Sequence, residues 1–225
     1  MKLSELTVEQ NKALIEHFPY LQPRNLWTDK IPEDYSYEYV RGAHELPDGW
    51  HRLFLLYCMS IKPLLKKANF IEQFRFSQIK EKWGEMTIYD NGTPKDIYEE
   101  LTDLNYIYAR ISKLICQYCG SRSQYETRGW VSYFCKDCGE KHFSKEGLIE
   151  IDEPDFIVRL ESWEAIKDEN NNIIDYNKIV RTLDVFPYFE EYLNCLKLSD
   201  EEFLNYIFTY VGARYENIQN KKDGS

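Results

Sequence analysis

Apolar residues along this chain recur mostly at three- and four-residue intervals and alternate in only a few short stretches. After the turn signal Pro47-Asp48-Gly49, the residues Trp50, Leu53, Phe54, Tyr57, Cys58, Ile61, Leu64, Leu65 and Ala68 keep helical spacing, which predicts a helix with one buried stripe. Pro63 lies inside it and is expected to kink or break it, because proline lacks the N–H a helix interior uses. Ile97, Leu101, Leu104, Ile107 or Tyr108, Ile111 and Leu114 predict a second long helix that runs directly into Cys116, with Thr93-Pro94 as its cap and first residue. Capping boxes at Thr7/Gln10 and Ser199/Glu202 predict a short first helix that stops near Pro19 and a last helix to about Arg214. Between them, Asp175 to Leu183 reads as a helix, and Pro187 opens another through Leu196.

Alternation marks the strands. Phe74 to Lys80 and Glu85 to Tyr89 predict an antiparallel hairpin with Trp83-Gly84 at or beside its turn. Tyr35, Tyr37 and Tyr39 fit one face of a strand and equally a loop packed across the core. Asp168 to Asn172 reads as an exposed turn, and the acidic residues around Pro154 as a linker or edge. The expected fold is α+β: helices with a small antiparallel hairpin and a four-cysteine ribbon, then a mainly helical acidic extension. The expected division is residues 1–142, closing in a ribbon over 116–142, and residues 143–225.

The ribbon rests on Cys116, Cys119, Cys135 and Cys138, two C-x2-C pairs separated by fifteen residues. Each second cysteine is followed by glycine, Gly120 and Gly139, and a tight turn of this kind aims two sulfurs at one ion. The spacing is that of a tetrahedral four-thiolate zinc site; rubredoxin-type iron uses similar knuckles, and two disulfides are the alternative in an oxidising compartment. Four thiolates saturate zinc, so a structural rather than catalytic ion is expected, and His142 is expected on the surface. Cys58 and Cys195 stand in apolar patterns and are read as buried hydrophobes.

Composition adds two constraints. With 18 Tyr, 12 Phe and 5 Trp the chain has ample material for a core and for large contact surfaces, which argues against disorder. The net charge of −10 is uneven: residues 1–142 carry 19 basic and 20 acidic residues, residues 143–225 carry 9 and 18. A net of −9 in the second part disfavours nonspecific nucleic-acid binding and favours a basic protein partner, so Asp200, Glu201 and Glu202 are candidate partner-binding residues. The opening Met1-Lys2-Leu3-Ser4-Glu5-Leu6 leads into a polar amphipathic segment, and no apolar run is long enough to span a bilayer. A cytoplasmic protein that does not enter membranes is the expectation.

Pro47-Asp48-Gly49-Trp50, then Gln78-Ile79-Lys80-Glu81-Lys82-Trp83-Gly84-Glu85, Tyr89, Cys116-Gln117-Tyr118-Cys119-Gly120, Gly129-Trp130 and Cys135-Lys136-Asp137-Cys138 occur in that order. This order resembles a widespread group of uncharacterised phage and prophage proteins that share a glycine-tryptophan helix start, a Gln-x-Lys-Glu-Lys-aromatic-Gly segment and a closing four-cysteine ribbon. The resemblance covers residues 14 to 142. It implies an α+β zinc fold and a phage or mobile-element origin, hence a bacterial host cytoplasm, and it implies no activity. The expected function is a non-enzymatic binding protein acting on a host or phage macromolecule, one form being an inhibitor of a bacterial defence system.

Two other chemistries compete. Gln78 and Lys80 on one strand face, with Asp48 or Glu72 as an upstream acid, form the minimal pattern of a Mg²⁺-dependent nuclease. Arg122, Arg128, Lys136 and Lys141 interleave with Tyr125, Trp130, Tyr133 and Phe134, a mixture that can stack on and neutralise nucleic acid; Glu126, Asp137 and Glu140 cancel much of that charge.

Overall fold

The computed structural model describes residues 1–25, 27–152 and 155–209. The elements, in chain order, are α1 (Val8–His17), α2 (His51–Lys67), the hairpin β1 (Phe76–Lys82) and β2 (Glu85–Asp90), and α3 (Tyr98–Lys113). The ribbon follows as β3 (Tyr125–Thr127), β4 (Tyr133–Phe134), α4 (Lys136–His142) and β5 (Leu148–Glu150). A long hairpin, β6 (Ile157–Lys167) and β7 (Ile173–Asp184), then precedes α5 (Phe186–Cys195) and α6 (Asp200–Thr209). The fold is α+β, and among the described residues it has three separate antiparallel sheets ordered β1-β2, β4-β3-β5 and β6-β7.

At the centre stands α2. From Trp50 to Leu65 almost every side chain is buried, including Leu55, Leu56 and Met59 off the expected stripe. A helix wrapped on all sides belongs to the middle of a core, and α3, α5 and α6 all pack against this one. It continues past Pro63 to Lys67. The lost hydrogen bond falls in the last turn, where buried Ile61, Leu64 and Leu65 hold the backbone in place.

The first hairpin forms as expected. Lys82 pairs with Glu85, so Trp83 and Gly84 make a two-residue loop, and both have positive φ, +55° and +75°. That is a type I′ turn, whose twist matches that of the strands. Helix α3 begins at Tyr98, four residues beyond the expected start, because Thr93 instead donates its hydroxyl to Asp90. The tyrosines Tyr35, Tyr37 and Tyr39 lie in a loop and stack on one another.

Beyond the ribbon, the helix expected over 175–183 is strand β7. Tyr176, Ile179, Val180 and Leu183 have helical spacing, but the β-branched Ile173, Ile174, Ile179, Val180 and Thr182 favour a strand, and β6 offers a matching partner through the turn at 168–172. The two helices after it are not a separate layer: Val185, Phe189, Tyr192, Cys195, Phe203, Leu204 and Ile207 join the same buried cluster as Leu14 and Leu53. Burying Phe189 and Phe203 contributes about 1.5–3 kcal/mol each. The expected end of the last helix near Arg214 lies outside the described residues.

His17 reports on this closure, its ring meeting Phe18 and, from α6, Phe208 edge-on. Burial, then the charges of Lys62 and Lys66, bring it down to about 4, against a partial opposing effect of the Ile207 carbonyl. Between about 6.5 and 4 the unfolded chain therefore binds more protons at this site than the folded one. Its contribution to stability is complete above about 6.5 and is lost as the pH falls toward 4. In denaturant melts across this range, His17→Phe is expected to show a shallower loss of stability than the parent protein; an unchanged slope would remove His17 from the acid transition.

Candidate metal centre

The first knuckle begins where α3 ends. Cys116 donates its N–H to Ser121 and its carbonyl accepts from Gly120, which closes the turn around Cys119. Gly120 has φ +80° there. The second knuckle is the start of α4: Cys135 caps the helix, and its sulfur accepts the Cys138 N–H at 3.4 Å. The β3–β4 pairing brings the two turns together.

All four sulfurs lie within 4.8 Å of one another, with Cys119 and Cys135 at 3.6 Å. Tetrahedral zinc with bonds of about 2.3 Å sets its sulfurs about 3.8 Å apart, so the cluster reaches that geometry with a contraction of at most about 1 Å. The cysteines are free, and among the described residues no other group of three or more His, Cys, Asp or Glu side chains converges in this way. Burial pushes the Cys135 thiol up to about 11 and raises Cys138 as well. Burial opposes ionisation at Cys119 too, but hydrogen bonds with Ser121 outweigh it and bring this thiol to about 7. A divalent cation is the counter-charge that lets all four ionise together, and its uptake releases protons.

Two contacts fix the first knuckle to the core and a third seats the hairpin on the ribbon, and the sequence pattern did not announce them. Gly49, in the turn before α2, donates its N–H to Gln117 at 2.9 Å, and a Cβ at Gly49 would sit 2.1 Å from the Cys116 carbonyl oxygen. Tyr192 of α5 donates its hydroxyl to Gly120 at 2.7 Å. The tip of the first hairpin seats on the ribbon, where a Cβ at Gly84 would meet the Tyr133 ring at 2.5 Å. A Pro-Asp-Gly turn and a tyrosine in an amphipathic helix carry no signal for such long-range roles.

The other candidate residues are placed apart. Lys80 donates to Gln78 at 2.7 Å and lies over the Tyr89 ring, while Asp48 pairs with Lys2 at 3.2 Å. In the ribbon Tyr133 and Phe134 are buried, while Trp130 and Tyr118 are exposed; the His142 ring lies against Tyr118 at 4.7 Å. Asp200 accepts from Arg52 at 2.6 Å and pairs with the Met1 ammonium at 2.9 Å. Partial burial opposes its ionisation, and these two cations outweigh that and hold its carboxyl below the usual range. Glu202 accepts the Ser199 N–H in the capping box, and Glu201 is exposed. Two of the three acids thus hold the fold together.

No family model matches the chain, and neither does any curated protein or solved structure. Among the described residues, no helix is long and apolar enough to cross a membrane.

Proposed function

We propose that the ion is a single structural zinc and that the chain is a non-enzymatic binding protein of a phage or mobile element, working in the bacterial cytoplasm by contact with a host or phage protein. Inhibition of a bacterial defence system is the concrete form this takes. The observation that carries the binding role is the β6–β7 hairpin. Among the described residues its strands of 11 and 12 residues pair only with each other, which leaves both edges open there. Trp163, Ile173, Ile174, Tyr176 and Val180 are all more than half exposed on it. An isolated hairpin is marginal in water, and exposed apolar area of this kind marks a contact surface.

Its base is tied down by Arg181, which reaches Glu99 and Asp103 of α3, and by Val158 and Leu183, which pack on the core. The outer part is what remains for a partner. Trp163, Tyr176 and Val180 share one face with Lys178, whose charge is taken by Glu161; on the other face Glu164 pairs across with Asn177, Ile166 with Asp175 and Ser162 with Ile179, so that beyond Arg181 this second face combines isoleucines with carboxylates. A basic, apolar protein surface complements it, as would the groove of a nucleic-acid-binding host protein; the same charge repels phosphate backbones.

Replacing residues 163–178 by Asn-Gly joins Ser162 to Ile179 and keeps the docked base. This variant is expected to melt within about 4 °C of the parent, the size of a roughly 1 kcal/mol change, and to lose capture of the partner from phage-infected bacterial lysate. Retention of the same partner would move the contact elsewhere. Mg²⁺-dependent cleavage of DNA or RNA that disappears in Lys80→Ala would replace the binding role by hydrolysis.

A further inference from the structure

A second surface, independent of the long hairpin, lies on the ribbon. Beside the first knuckle is a cleft of about 570 Å³, lined among others by Pro47, Gln117, Tyr118, Arg128, Trp130 and Phe143. Its size is that of a ligand site, and its walls are mostly aromatic and apolar.

Gln117 is the residue that points to an occupant. Its N–H donates to the Tyr133 carbonyl and its own carbonyl accepts from Gly49, so the backbone is fixed on both sides. The side chain, on a residue only 8% exposed, has a carboxamide nitrogen buried without a partner. A buried donor left unpaired costs about 1–3 kcal/mol, and a turn of the carboxamide toward the cleft that Gln117 lines would let an arriving carbonyl oxygen recover it.

Trp130 supplies the second observation. It is 70% exposed and stacks on Trp83, itself 60% exposed, with ring centroids 6.0 Å apart and planes 27° from parallel. Trp83 occupies a left-handed position in the type I′ turn, where asparagine or aspartate is favoured and a bulky side chain is an outlier. Neither burial nor turn preference accounts for it; a rigid aromatic shelf at the mouth of the cleft does.

Charge at the rim selects the occupant. Asp48 is taken by Lys2, whereas no carboxylate pairs with the Arg128 guanidinium among the described residues. One available cation suits one carboxylate and is too little for a phosphate chain, which needs several. Tyr118 and Phe134 already stack on each other at 5.0 Å, which leaves apolar edges rather than open faces for a base. We propose that this cleft binds an extended peptide segment of a protein partner, with a bulky apolar side chain in the cleft, a backbone carbonyl on the Gln117 amide and a neighbouring acidic residue on Arg128.

The test uses the full ¹⁵N-labelled chain and reads the side-chain N–H signals of Gln117 and Trp130, assigned by their loss in Gln117→Leu and Trp130→Phe. The probes are end-blocked Gly-Phe-Asp-Gly, its lysine counterpart Gly-Phe-Lys-Gly and an oligouridylate. The acidic peptide is expected to shift both signals and to bind roughly tenfold more tightly than the lysine peptide, a difference of about 1.4 kcal/mol. Arg128→Glu is expected to reverse that order with the fold intact. Equal binding of the two peptides, no response at millimolar peptide, or a response to the oligonucleotide alone overturns the proposal.

Discussion

Withdrawing the metal lowers the melting temperature of the entire protein by roughly 10–20 °C instead of fraying the ribbon alone. Structural zinc contributes on the order of 10–16 kcal/mol to the folding of small zinc-finger peptides. If about 5 kcal/mol of that reaches the global transition, at about 2–4 °C per kcal/mol for a chain of this size, the range follows. The route is structural: the Cys116 turn is hydrogen-bonded to Gly49 at the start of the central helix and to Tyr192 of α5. Calorimetry with and without a chelator, beside metal analysis expecting one equivalent, measures it. Cys116→Ser, at the fully buried ligand on the core side, is expected to cost more than Cys138→Ser at the outer knuckle. A global transition unmoved by chelation, with only ribbon signals lost, would show the ribbon to be a separable unit.

Gly49→Ala is expected to be strongly destabilising for the addition of a single methyl group. Nothing about the Gly49 backbone demands glycine by conformation, since its φ is not among the positive ones. The demand comes from proximity: the new Cβ meets the Cys116 oxygen at 2.1 Å, the Gly120 nitrogen at 2.7 Å and the Gln117 carbonyl carbon at 2.8 Å. These are backbone atoms that cannot rotate aside, so the cost falls at the upper end of overpacking, about 3 kcal/mol, or a melting temperature lower by roughly 6–12 °C. Gly92→Ala is the control. Gly92 has φ +109° with nothing within 4 Å of the added atom, and its cost is only the backbone strain of about 1–2 kcal/mol. The two variants differ further in zinc retention, which Gly49→Ala is expected to weaken and Gly92→Ala to leave unchanged.

Local chemistry was legible in the chain and long-range assembly was not. The C-x2-C pairs and the Thr7 and Ser199 capping boxes are determined within a few residues, and the structure places each as its residue types dictate; the hairpin turn also falls at Trp83-Gly84, where Gly84 suits its positive φ and Trp83 does not. Helix α2 was recognised by period, but its full burial depends on α5 and α6, more than a hundred residues away. Strand β7 was misread because Tyr176, Ile179, Val180 and Leu183 satisfy a helical period as well as a strand, and only the pairing with β6 decides between them. Asp200 looked like free surface charge in a helix first turn; its partner Arg52 is 148 residues away, beyond the reach of any local pattern.

The same separation sets the timing of biosynthesis. Arg52 emerges from the ribosome 143 to 148 residues before the Cys195 and Leu198 carbonyls and the Asp200 carboxylate that receive it. At elongation rates of about 5–20 residues per second the central helix waits on the order of 10–30 s with its cation and one apolar flank uncovered. The core closes only with the arrival of the final helices, so a chain stopped short of Val185 is not a smaller working protein but a substrate for chaperones and proteases.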